Sequence, residues 1–524
     1  MKTLFISLII LFSVGNLSAQ FGNTPPFTIE IEAIPNTNTI GLHSFAFAQW
    51  GSKWLFVGGR TNGLHGFLPG TGFPMQAANN QLIVIDTVNW QTWTSSLNSL
   101  PVNLAEPLRS ANMQYYQNGN YLYAIGGYGF DSTQLKNVTF PTLTAIRIDS
   151  TINAVIQQKQ INSFIRQIKD NRLQICGGEL EKLDSTFYLF FGHDYNGDYP
   201  DTTAKQVYSN QIKKFSIADD GINLSIDNYT TITDSVEFHR RDLTVAPFIN
   251  PNGKPGLAAY SGVFTPNFKP FTHPIYVDAG GVQIDTTYNQ VLNLYTCARI
   301  PLFDSLTQNM HTIFMGGVSN RVYDEVSEKL ITDNKIPFTN DITVLTKYAD
   351  GHHEEKLLPI QLPGLIGKNA KFILNEHLPH YDNQVIHLNG LTERTLLGYF
   401  FGGIRAERPN QTLSIANDTI YRIFINPTKP NGVNKTYATS QQLRTFPNPC
   451  KEHININFSL LKTEQVALKI RDIFGNTIKT ITTESLAPGE HIFTVEVSEF
   501  APQPYVCQLQ TESFIAITRF AVIK

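Results

Sequence analysis

A glycine doublet recurs along the middle of this chain, each time at the end of an aromatic-rich strand. Six doublets begin at residues 58, 126, 192, 261, 316 and 402, where the third reads Gly-His and the fourth Ser-Gly. Most are preceded by an apolar strand and a polar turn, and the Asn118-Gly119 turn is typical of a hairpin because both residues accept positive φ. A hairpin repeated in this way predicts an all-β fold assembled from similar units.

A second pair of strands follows most of the doublets. Gln81–Asp86, which leads to Trp90 and Trp93, and Leu143–Asp149 are examples. Four antiparallel strands per unit are typical of a propeller blade. Hydrophobic residues make up 42% of the chain, which excludes wholesale disorder. The net charge of −3 argues against a nucleic-acid binder, because such proteins usually carry a basic excess.

The strand, the doublet and the later Tyr or Trp together resemble the kelch repeat. The resemblance implies a six-bladed kelch-like β-propeller over residues 20–427, and the weak third and fourth doublets leave a seven-bladed propeller open. The doublets are about 69 residues apart on average, against roughly 50 for a kelch repeat, so the blades are expected to carry long loops.

Residues 1–19 have the order of a secretory signal peptide. Lys2 supplies the positive start, Leu4–Val14 is almost wholly apolar, and Ser18 and Ala19 are small residues at a cleavage site. The apolar segment is too short to span a bilayer, which needs about 20 residues. We expect cleavage after Ala19 and no membrane-spanning segment in the mature chain.

A different pattern begins after the turn-rich segment 428–443, which we interpret as a linker. Alternating strands such as Ile454–Phe458 predict a small antiparallel β-sandwich over residues 444–524. A Pro-Asn-Pro start, an Asp-x-x-Gly-Asn turn, a Pro-Gly-x-His turn and a late Tyr mark it, at Phe446, Pro447, Asn448, Pro449, Asp472, Gly475, Gly489 and Tyr505. In this order they resemble the type A C-terminal sorting domain of the type IX secretion system of Bacteroidota.

That resemblance implies export through the periplasm and across the outer membrane to a secreted or cell-surface location. The implied partners are the type IX secretion machinery and a sorting peptidase that removes this domain. Pro504, where a Gly usually precedes the Tyr, and Arg519, in place of a late Lys pair, depart from the family pattern. An accessory sandwich that stays attached and only binds is the alternative.

In kelch propellers the start of each inner strand points into a funnel on one face, often with an Arg that contacts the ligand. The resemblance therefore implies a ring of ligand-binding candidates at His43, Arg109, Arg172, Arg241 and Arg299, with Lys371 in the last blade. Arg side chains bind carboxylates and sugar acids through two parallel hydrogen bonds. The alternative is that each Arg forms an ion pair between blades or is exposed.

Two weaker patterns concern metals and disulfides. Asp194, Asn196 and Asp198 place oxygen ligands at alternate positions, as in a calcium loop, but the later Glu is missing and an Asx-rich turn is favoured. Cys450 and Cys507 lie in the sorting module, and an oxidising export route makes them a disulfide candidate, with two free thiols as the alternative. No cofactor is predicted.

These observations favour an exported propeller that binds a glycan or protein ligand, because long loops on a rigid scaffold commonly carry recognition. The enzyme alternative is a sugar-acid mutarotase or isomerase, a role that some bacterial kelch propellers fill. It would use Arg for the carboxylate and Glu179 or Glu237 for proton transfer. A structural adhesin is a third alternative, since fold alone does not choose between them.

Overall fold

The computed structural model describes residues 25–35, 37, 39–66, 72–199, 201, 203–324, 329–410, 413–428, 443–460, 463–472, 476–511 and 515–524. The chain divides into two compact units, residues 1–427 and 428–524. The predicted signal peptide, Gly475 and all but the ends of the predicted linker lie outside the described residues. The structure is all-β, as predicted, and none of its described helices is long and apolar enough to cross a membrane.

Within the described residues, the first unit contains six sheets built on a four-stranded antiparallel meander, numbered here in chain order. Sheet 1 consists of Ala46–Trp50, Lys53–Val57, Gln81–Asp86 and Thr92–Ser96. Sheet 2 consists of Gln114–Asn118, Tyr121–Ile125, Thr142–Arg147 and Ile165–Lys169. Sheet 3 consists of Glu179–Leu183, Thr186–Phe190, Gln211–Asp219 and Leu224–Thr233. Sheet 4 consists of Thr244–Ile249, Pro255–Tyr260, Ile275–Asp278 and Gly281–Ile284.

The last two sheets carry additional strands. Sheet 5 consists of Ala298–Asp304, Asn309–Val318, Phe338–Lys347 and His353–Leu357, with Ile386–His387 parallel to its first strand. Sheet 6 consists of Leu365–Leu374, Thr395–Ala406, Tyr421–Pro427 and the N-terminal strand Phe27–Ala33, with Ser414–Ala416 at its side. Sheet 6 is thus built from both ends of the unit, and Phe27 pairs with Pro427.

Shorter elements lie between these strands. A four-stranded hairpin sheet is formed by insertions from sheets 2 and 3: Tyr128–Asp131, Lys136–Thr139, His193–Asn196 and Lys205–Tyr208. Arg321–Asp324 and Lys329–Thr332 form a two-stranded hairpin. The helices are Val102–Leu108 and Ile148–Ile156, and the 3-10 turns are Met75–Ala77, Leu97–Ser99, Asn162–Phe164, Asn171–Leu173 and Leu388–Gly390.

The glycine doublets allow each sheet to contact closely the segment that precedes the first strand of the next sheet. A Cβ on Gly126 would lie 1.9 Å from the carbonyl oxygen of Ile175, and the neighbouring Gly127 N–H donates to that oxygen at 3.0 Å. The third doublet is Phe191-Gly192, one residue before the predicted Gly192-His193, because Phe191 itself takes positive φ. The same left-handed conformation occurs at all six doublets: 58–59, 126–127, 191–192, 261–262, 316–317 and 402–403.

A second repeated conformation occurs just before the first strand of each sheet, or within that strand in sheet 6. Six residues, called the ring residues here, have φ between 52° and 66°: Ser44, Asn112, Gly177, Asp242, Thr296 and Asn369. The N–H groups of Asn112, Gly177 and Asp242 donate to the carbonyl of the ring residue in the preceding sheet, at 3.0, 3.3 and 2.7 Å. Asn369 N–H donates to Thr296 O at 2.6 Å, and its side-chain amide donates to Ser44 Oγ at 2.7 Å.

The second unit has two antiparallel sheets that share one apolar core. One sheet consists of Arg444–Phe446, His453–Leu460 and Gly489–Glu496. The other consists of Ala467–Arg471, Thr477–Thr482, Pro504–Gln510 and Ile515–Ala521, and a small pair is formed by Glu464–Gln465 and Ser485–Leu486. Ile456 and Phe458 from the first sheet pack with Leu468 and Leu509 from the second, as the alternating pattern predicts.

Candidate functional site

Two cavities, joined by a neck, run along the first strands of the six sheets. The outer cavity has a volume of about 100 Å³, the neck about 40 Å³ and the inner cavity about 300 Å³. The neck is lined by all six ring residues. It shares Ser44, Asn112, Asp242 and Asn369 with the outer cavity, and it shares Glu179 and Lys371 with the inner cavity. The ring therefore separates the two cavities.

Backbone bridges fix the residues that surround the outer cavity. The residue before each ring residue pairs with the residue that follows each doublet, and in sheet 1 these are His43 and Arg60. The equivalent pairs are Ala111 with Tyr128, Cys176 with His193, Arg241 with Val263, Tyr295 with Val318, and Lys368 with Ile404. Residues on both sides of these pairs line the outer cavity: His43, Cys176, Arg241 and Lys368 before the ring residues, and Arg60, Tyr128, His193 and Ile404 after the doublets.

Positive charge dominates the outer cavity. Among its described lining residues, the cations Arg60, Arg241 and Lys368 face a single carboxylate, Asp242, which forms an ion pair with Arg241. Arg60 donates from Nη2 to Pro74 O at 2.8 Å. Lys368 Nζ donates to Thr296 Oγ1 at 3.0 Å, and burial lowers its pKa, although its attraction to Asp242 opposes the shift more than its repulsion by Arg241 adds to it. Three cations of the described lining therefore share one carboxylate, and of the three only Arg241 forms an ion pair with it.

The histidines of this cavity are held neutral. Burial, followed by the charges of Arg60 and Lys368, lowers the pKa of His43 to about 3. Burial, followed by Arg241, lowers the pKa of His193 to about 3 as well, and Gln206 Nε2 donates to His193 Nδ1 at 2.7 Å. At neutral pH these rings add hydrogen-bonding capacity and no charge.

Aromatic rings from the hairpin sheet and nearby loops close over the outer cavity. Tyr128 and Tyr195 meet edge to face at 5.5 Å, and Tyr128 meets Phe73 in the same way at 5.0 Å. Tyr128 also donates from its hydroxyl to Gly197 O at 2.6 Å, which fixes its ring. Aromatic faces beside cations are suited to a small anionic ligand with an apolar face.

The inner cavity is different because its charges are balanced. Its described lining contains three carboxylates and three cations: Glu179, Glu181, Glu376, Lys182, Arg299 and Lys371. Glu181 forms an ion pair with Arg299, and Glu179 lies 3.4 Å from Lys371 Nζ. Because the two carboxylates come from sheet 3 and the two cations from sheets 5 and 6, both pairs join different sheets.

Burial perturbs the acid–base groups of the inner cavity. Burial raises the pKa of Glu181 to about 7, although the charge of Arg299 opposes the shift. The pKa of Tyr115 is raised well above its ordinary value by burial and then by the charge of Glu179. A carboxyl that titrates near neutral pH is able to donate or accept a proton under physiological conditions.

Four of the six predicted ligand-binding residues line a cavity and two do not. His43 and Arg241 line the outer cavity, Arg299 lines the inner cavity, and Lys371 lines the neck and the inner cavity. Arg109 and Arg172 line none of the three described cavities: Arg109 donates to Asn98 Oδ1 at 2.6 Å, and Arg172 pairs with Asp170. The prediction misplaced these two because the ring residue that precedes the first strand is Asn112, three residues after Arg109, in sheet 2, and Gly177, five residues after Arg172, in sheet 3.

Sequence reasoning missed other lining residues. Arg60 and His193 lie directly after doublets, which is the signal that identifies them. Lys368 was missed because the strand of sheet 6 begins before its ring residue. Of the two candidate acids, Glu179 lines the neck and inner cavity, whereas Glu237 bonds to Arg240 and His273 and lines no described cavity.

The calcium candidates are engaged within the fold. Asp198 Oδ1 accepts from the Asn137 amide N at 3.0 Å, and Asp194 Oδ2 accepts from Gln174 at 3.1 Å. Asn196 lies between them in the sequence, at the end of the strand His193–Asn196, and pairs with Lys205. Among the described residues no group of three or more His, Cys, Asp or Glu side chains is arranged to hold a metal ion.

The two cysteines of the second unit are buried free thiols, so the predicted disulfide is not formed. Cys450 bridges to Val522, whereas Cys507 pairs with Thr518 on the same terminal strand. Four residues of strand span about 13 Å, well beyond the roughly 7 Å that a disulfide allows between Cα atoms. Cys176 and Cys297 are also buried free thiols.

The predicted sorting residues hold the terminal turns and strands together. Asn448, between Pro447 and Pro449, accepts from Ala521 N at 3.0 Å and donates to Arg519 O at 3.0 Å, while Phe446 is about half exposed. Three further predicted residues are described. Asp472 accepts from Asn476 N at 2.8 Å, Gly489 begins a strand at φ 128°, and buried Tyr505 donates to Ala501 O at 3.0 Å.

Comparisons with known proteins identify the second unit. Residues 444–524 match the family described as secretion system C-terminal sorting domain. A comparison with curated proteins finds no match. One similar solved structure is titled "Structure of YjhT"; it has 11% sequence identity and a TM-score of 0.41, covering 74% of this chain and 99% of that chain. The sorting domain marks proteins exported by the type IX secretion system to the cell surface or extracellular space.

Proposed function

We propose that the first unit is a closed, six-bladed kelch-like β-propeller that binds a small anionic ligand in the outer cavity after export. In this proposal residues 1–19 are a signal peptide, 20–427 the propeller, 428–443 a linker, and 444–524 the domain that a sorting peptidase removes. The secretion machinery is then the first partner of the chain, and the ligand is bound at the cell surface or outside the cell.

Contacts between the last and first sheets support the closed propeller. Gly403 N–H, from sheet 6, donates to Leu42 O, ahead of sheet 1, at 3.0 Å. Gly59 makes the same kind of bond to Ser110 O ahead of sheet 2, at 2.9 Å. The junction between sheets 6 and 1 therefore contains the same hydrogen bond as the junction between sheets 1 and 2, which favours six blades over seven.

The excess of buried cations in the outer cavity carries the ligand proposal. Arg60 is 5% exposed, and it shares the cavity with Arg241 and Lys368 and one carboxylate. Buried like charges are unfavourable unless an anion accompanies them. The carboxylated end of an acidic sugar suits this cavity better than a protein surface does, because the cavity holds only about 100 Å³ and is covered by aromatic rings.

Calorimetry on the full chain tests this proposal with acidic monosaccharides and their neutral, carboxyl-reduced counterparts. We expect an acidic sugar to bind and its neutral counterpart to bind about tenfold more weakly or not at all. Lys368→Met is expected to weaken binding of the acidic sugar by a similar factor, because an ammonium group is lost from the cavity.

Arg109→Gln and Arg172→Gln are matched controls, because each removes a guanidinium that lies outside the described cavities. Both are expected to bind like the unaltered chain. Equal binding of acidic and neutral sugars, or equal loss in the controls and Lys368→Met, would contradict a ligand in the outer cavity. Failure of all acidic sugars to bind would do the same.

An isomerase acting on an acidic sugar is the second candidate. It is favoured by Glu179, a carboxylate that lines the neck just below the outer cavity. There it is placed to exchange protons with a ligand whose carboxylate is bound by the cations above it. Catalysed anomer exchange, followed by NMR, is expected for the unaltered chain and lost in Glu179→Gln; exchange at the uncatalysed rate would exclude this enzyme.

A further inference from the structure

The inner cavity contains a charge arrangement that neither the outer cavity nor the sorting domain explains. Its volume of about 300 Å³ is at the lower end of the range for small-ligand pockets, roughly 300–1,000 Å³. Exposed Gly119, Glu376 and Gln384 are among its lining residues, so it reaches solvent. A ligand can therefore enter it without passing the neck.

Two carboxylates and two cations face each other here. Glu179 and Glu181 occupy alternate positions of one strand and so project on the same side. Lys371 lies opposite Glu179, and Arg299 lies opposite Glu181. The side chains of both pairs are 80% or more buried, with exposures of 20% and 15% for the first and 20% and 12% for the second. Water therefore screens these charges poorly.

This balance of buried charges restricts the charge of any ligand that the inner cavity can bind. An anion bound to Arg299 adds an unbalanced negative charge beside Glu179 and Glu181, and a cation bound to Glu181 adds an unbalanced positive charge beside Arg299 and Lys371. Uncompensated buried charges of this kind are strongly unfavourable. A ligand that brings both charges at once satisfies both sides of the cavity.

One donor in the wall is already available for such a ligand. Arg299 Nε is buried and has no hydrogen-bond partner among the described residues, although its Nη2 donates to Glu181. A guanidinium binds a carboxylate best through two parallel N–H groups. Phe47, Tyr115 and Leu374 supply an apolar wall beside these charges.

We propose that the inner cavity binds a small zwitterion of the α-amino-acid class. Its carboxylate contacts Arg299 and Lys371, its ammonium group contacts Glu179 and Glu181, and its side chain packs on the apolar wall. The site is separate from the outer cavity, so the proposal does not rest on the acidic ligand bound there.

The experiment compares one amino acid with its two half-molecules on the full chain. L-phenylalanine is titrated by calorimetry beside phenethylamine, which lacks the carboxylate, and 3-phenylpropanoate, which lacks the amine. We expect each half-molecule to bind about tenfold more weakly than the amino acid or not at all. Equal binding of either half-molecule, or no binding of aliphatic and aromatic amino acids at millimolar concentration, would overturn the proposal.

Variants separate this site from the outer one. Glu181→Gln keeps the shape of the side chain and is expected to weaken amino-acid binding by about tenfold or more, with binding of acidic sugars retained. Lys368→Met is expected to show the reverse pattern. Arg172→Gln, outside the described cavities, should change neither. Amino-acid binding that survives Glu181→Gln but is lost in Lys368→Met would place the amino acid in the outer cavity and refute the inner site.

A proton count provides a readout that a structural role of Glu181 would not produce. An ammonium group beside Glu181 favours its charged form, and its pKa is about 7 without ligand. Binding near pH 7 should therefore release a fraction of a proton, which calorimetry in two buffers of different ionisation enthalpy detects. Proton uptake on binding would contradict the proposed position of the ammonium group.

Discussion

The inner cavity is lined by residues of all six sheets and the outer cavity by residues of every sheet but the fifth, and the two cavities differ in the balance of their charges. In the outer cavity three cations share one carboxylate, and its histidines are neutral. In the inner cavity three described carboxylates match three cations in number, and Arg299 and Lys371 each form an ion pair with one of them. The charges of the inner cavity are thus balanced in number in the free protein, whereas in our proposal those of the outer cavity are balanced only when an anion binds. Measurements of the free energy of unfolding can distinguish the balanced cavity from the cavity with excess cations.

The largest effect is expected from removing one cation from each cavity. Arg299→Met leaves Glu181 without its buried partner and should lower the free energy of unfolding by about 3–5 kcal/mol. Lys368→Met removes an ammonium group whose burial outweighs its attraction to Asp242 and lowers its pKa, so it should change the free energy of unfolding by less than about 1 kcal/mol. Urea unfolding of both variants at pH 8 measures the two values.

The double variant Arg299→Met, Glu181→Leu is the control for this difference. With both charges gone, most of the lost stability should return, because an apolar pair of similar volume often replaces a buried ion pair without cost. Equal destabilisation by Arg299→Met and Lys368→Met would show that the cavities do not differ in charge balance.

Low pH should destabilise the folded chain through His193 in the outer cavity. The pKa of His193 is about 3 in the folded chain and about 6.5 when unfolded, so the unfolded chain binds the extra proton. Stability is therefore lost as the pH falls below 6.5, by about 3 kcal/mol between pH 6.5 and pH 4 for this one group. His193→Asn keeps an acceptor for Gln206 and removes the titration.

Urea unfolding across that pH range checks this by subtraction. The difference in unfolding free energy between the unaltered chain and His193→Asn should shrink as the pH falls. His377→Asn makes the same substitution at an exposed histidine and is the matched control for it. A constant difference for His193→Asn would mean that its ring is not held neutral by burial.

Low pH should have the opposite effect through Glu181 in the inner cavity, and stabilise the folded chain. The pKa of Glu181 is raised to about 7 in the folded chain from about 4.5 when unfolded, so the folded chain binds the extra proton. Its contribution is full below pH 4.5 and is lost as the pH rises through 7, by about 2–3 kcal/mol. Glu355, whose pKa is also raised to about 7 by burial, adds to the same slope.

Glu181→Gln isolates the contribution of the inner cavity from that of Glu355. The unaltered chain should lose stability relative to Glu181→Gln between pH 4.5 and pH 7. A slope of the opposite sign would mean that Arg299 dominates over burial and holds Glu181 charged. The two cavities would then respond to pH in the same direction.

The repeat was predictable because it depends on backbone conformation that glycine reveals. Four doublets are Gly-Gly, and each lies in or directly after the second strand of its sheet. The third was placed one residue late because Phe191 takes positive φ without being a glycine. Non-glycine residues in this conformation carry no reliable sequence signal.

The candidate site was less predictable for the same reason. Ser44, Asn112 and Thr296 share a conformation but no side-chain chemistry, so the start of each first strand could not be aligned by residue type. Arg109 and Arg172 were chosen three and five residues too early as a result. Glu181 and Arg299 pair across 118 positions of the chain, and only the packing of sheets 3 and 5 brings them together.

The smallest effect concerns the neck that separates the cavities. Thr296 is β-branched and sits at φ 54°, where β-branched residues are strained and Asn is tolerated. Asn occupies the equivalent ring position in sheets 2 and 6, as Asn112 and Asn369. Thr296→Asn should therefore raise the free energy of unfolding by about 0.5–1 kcal/mol, provided that its side chain replaces Oγ1 as the acceptor for Lys368.

Thr296→Val is the informative counterpart, because it keeps the branched shape and the left-handed strain but removes the acceptor. Its unfolding free energy should fall below that of the unaltered chain, since Lys368 then lacks its hydrogen bond inside a positively charged cavity. If Thr296→Asn and Thr296→Val both lower stability equally, the hydroxyl matters more than the strain. The neck would then serve mainly to hold the Lys368 ammonium group in the outer cavity.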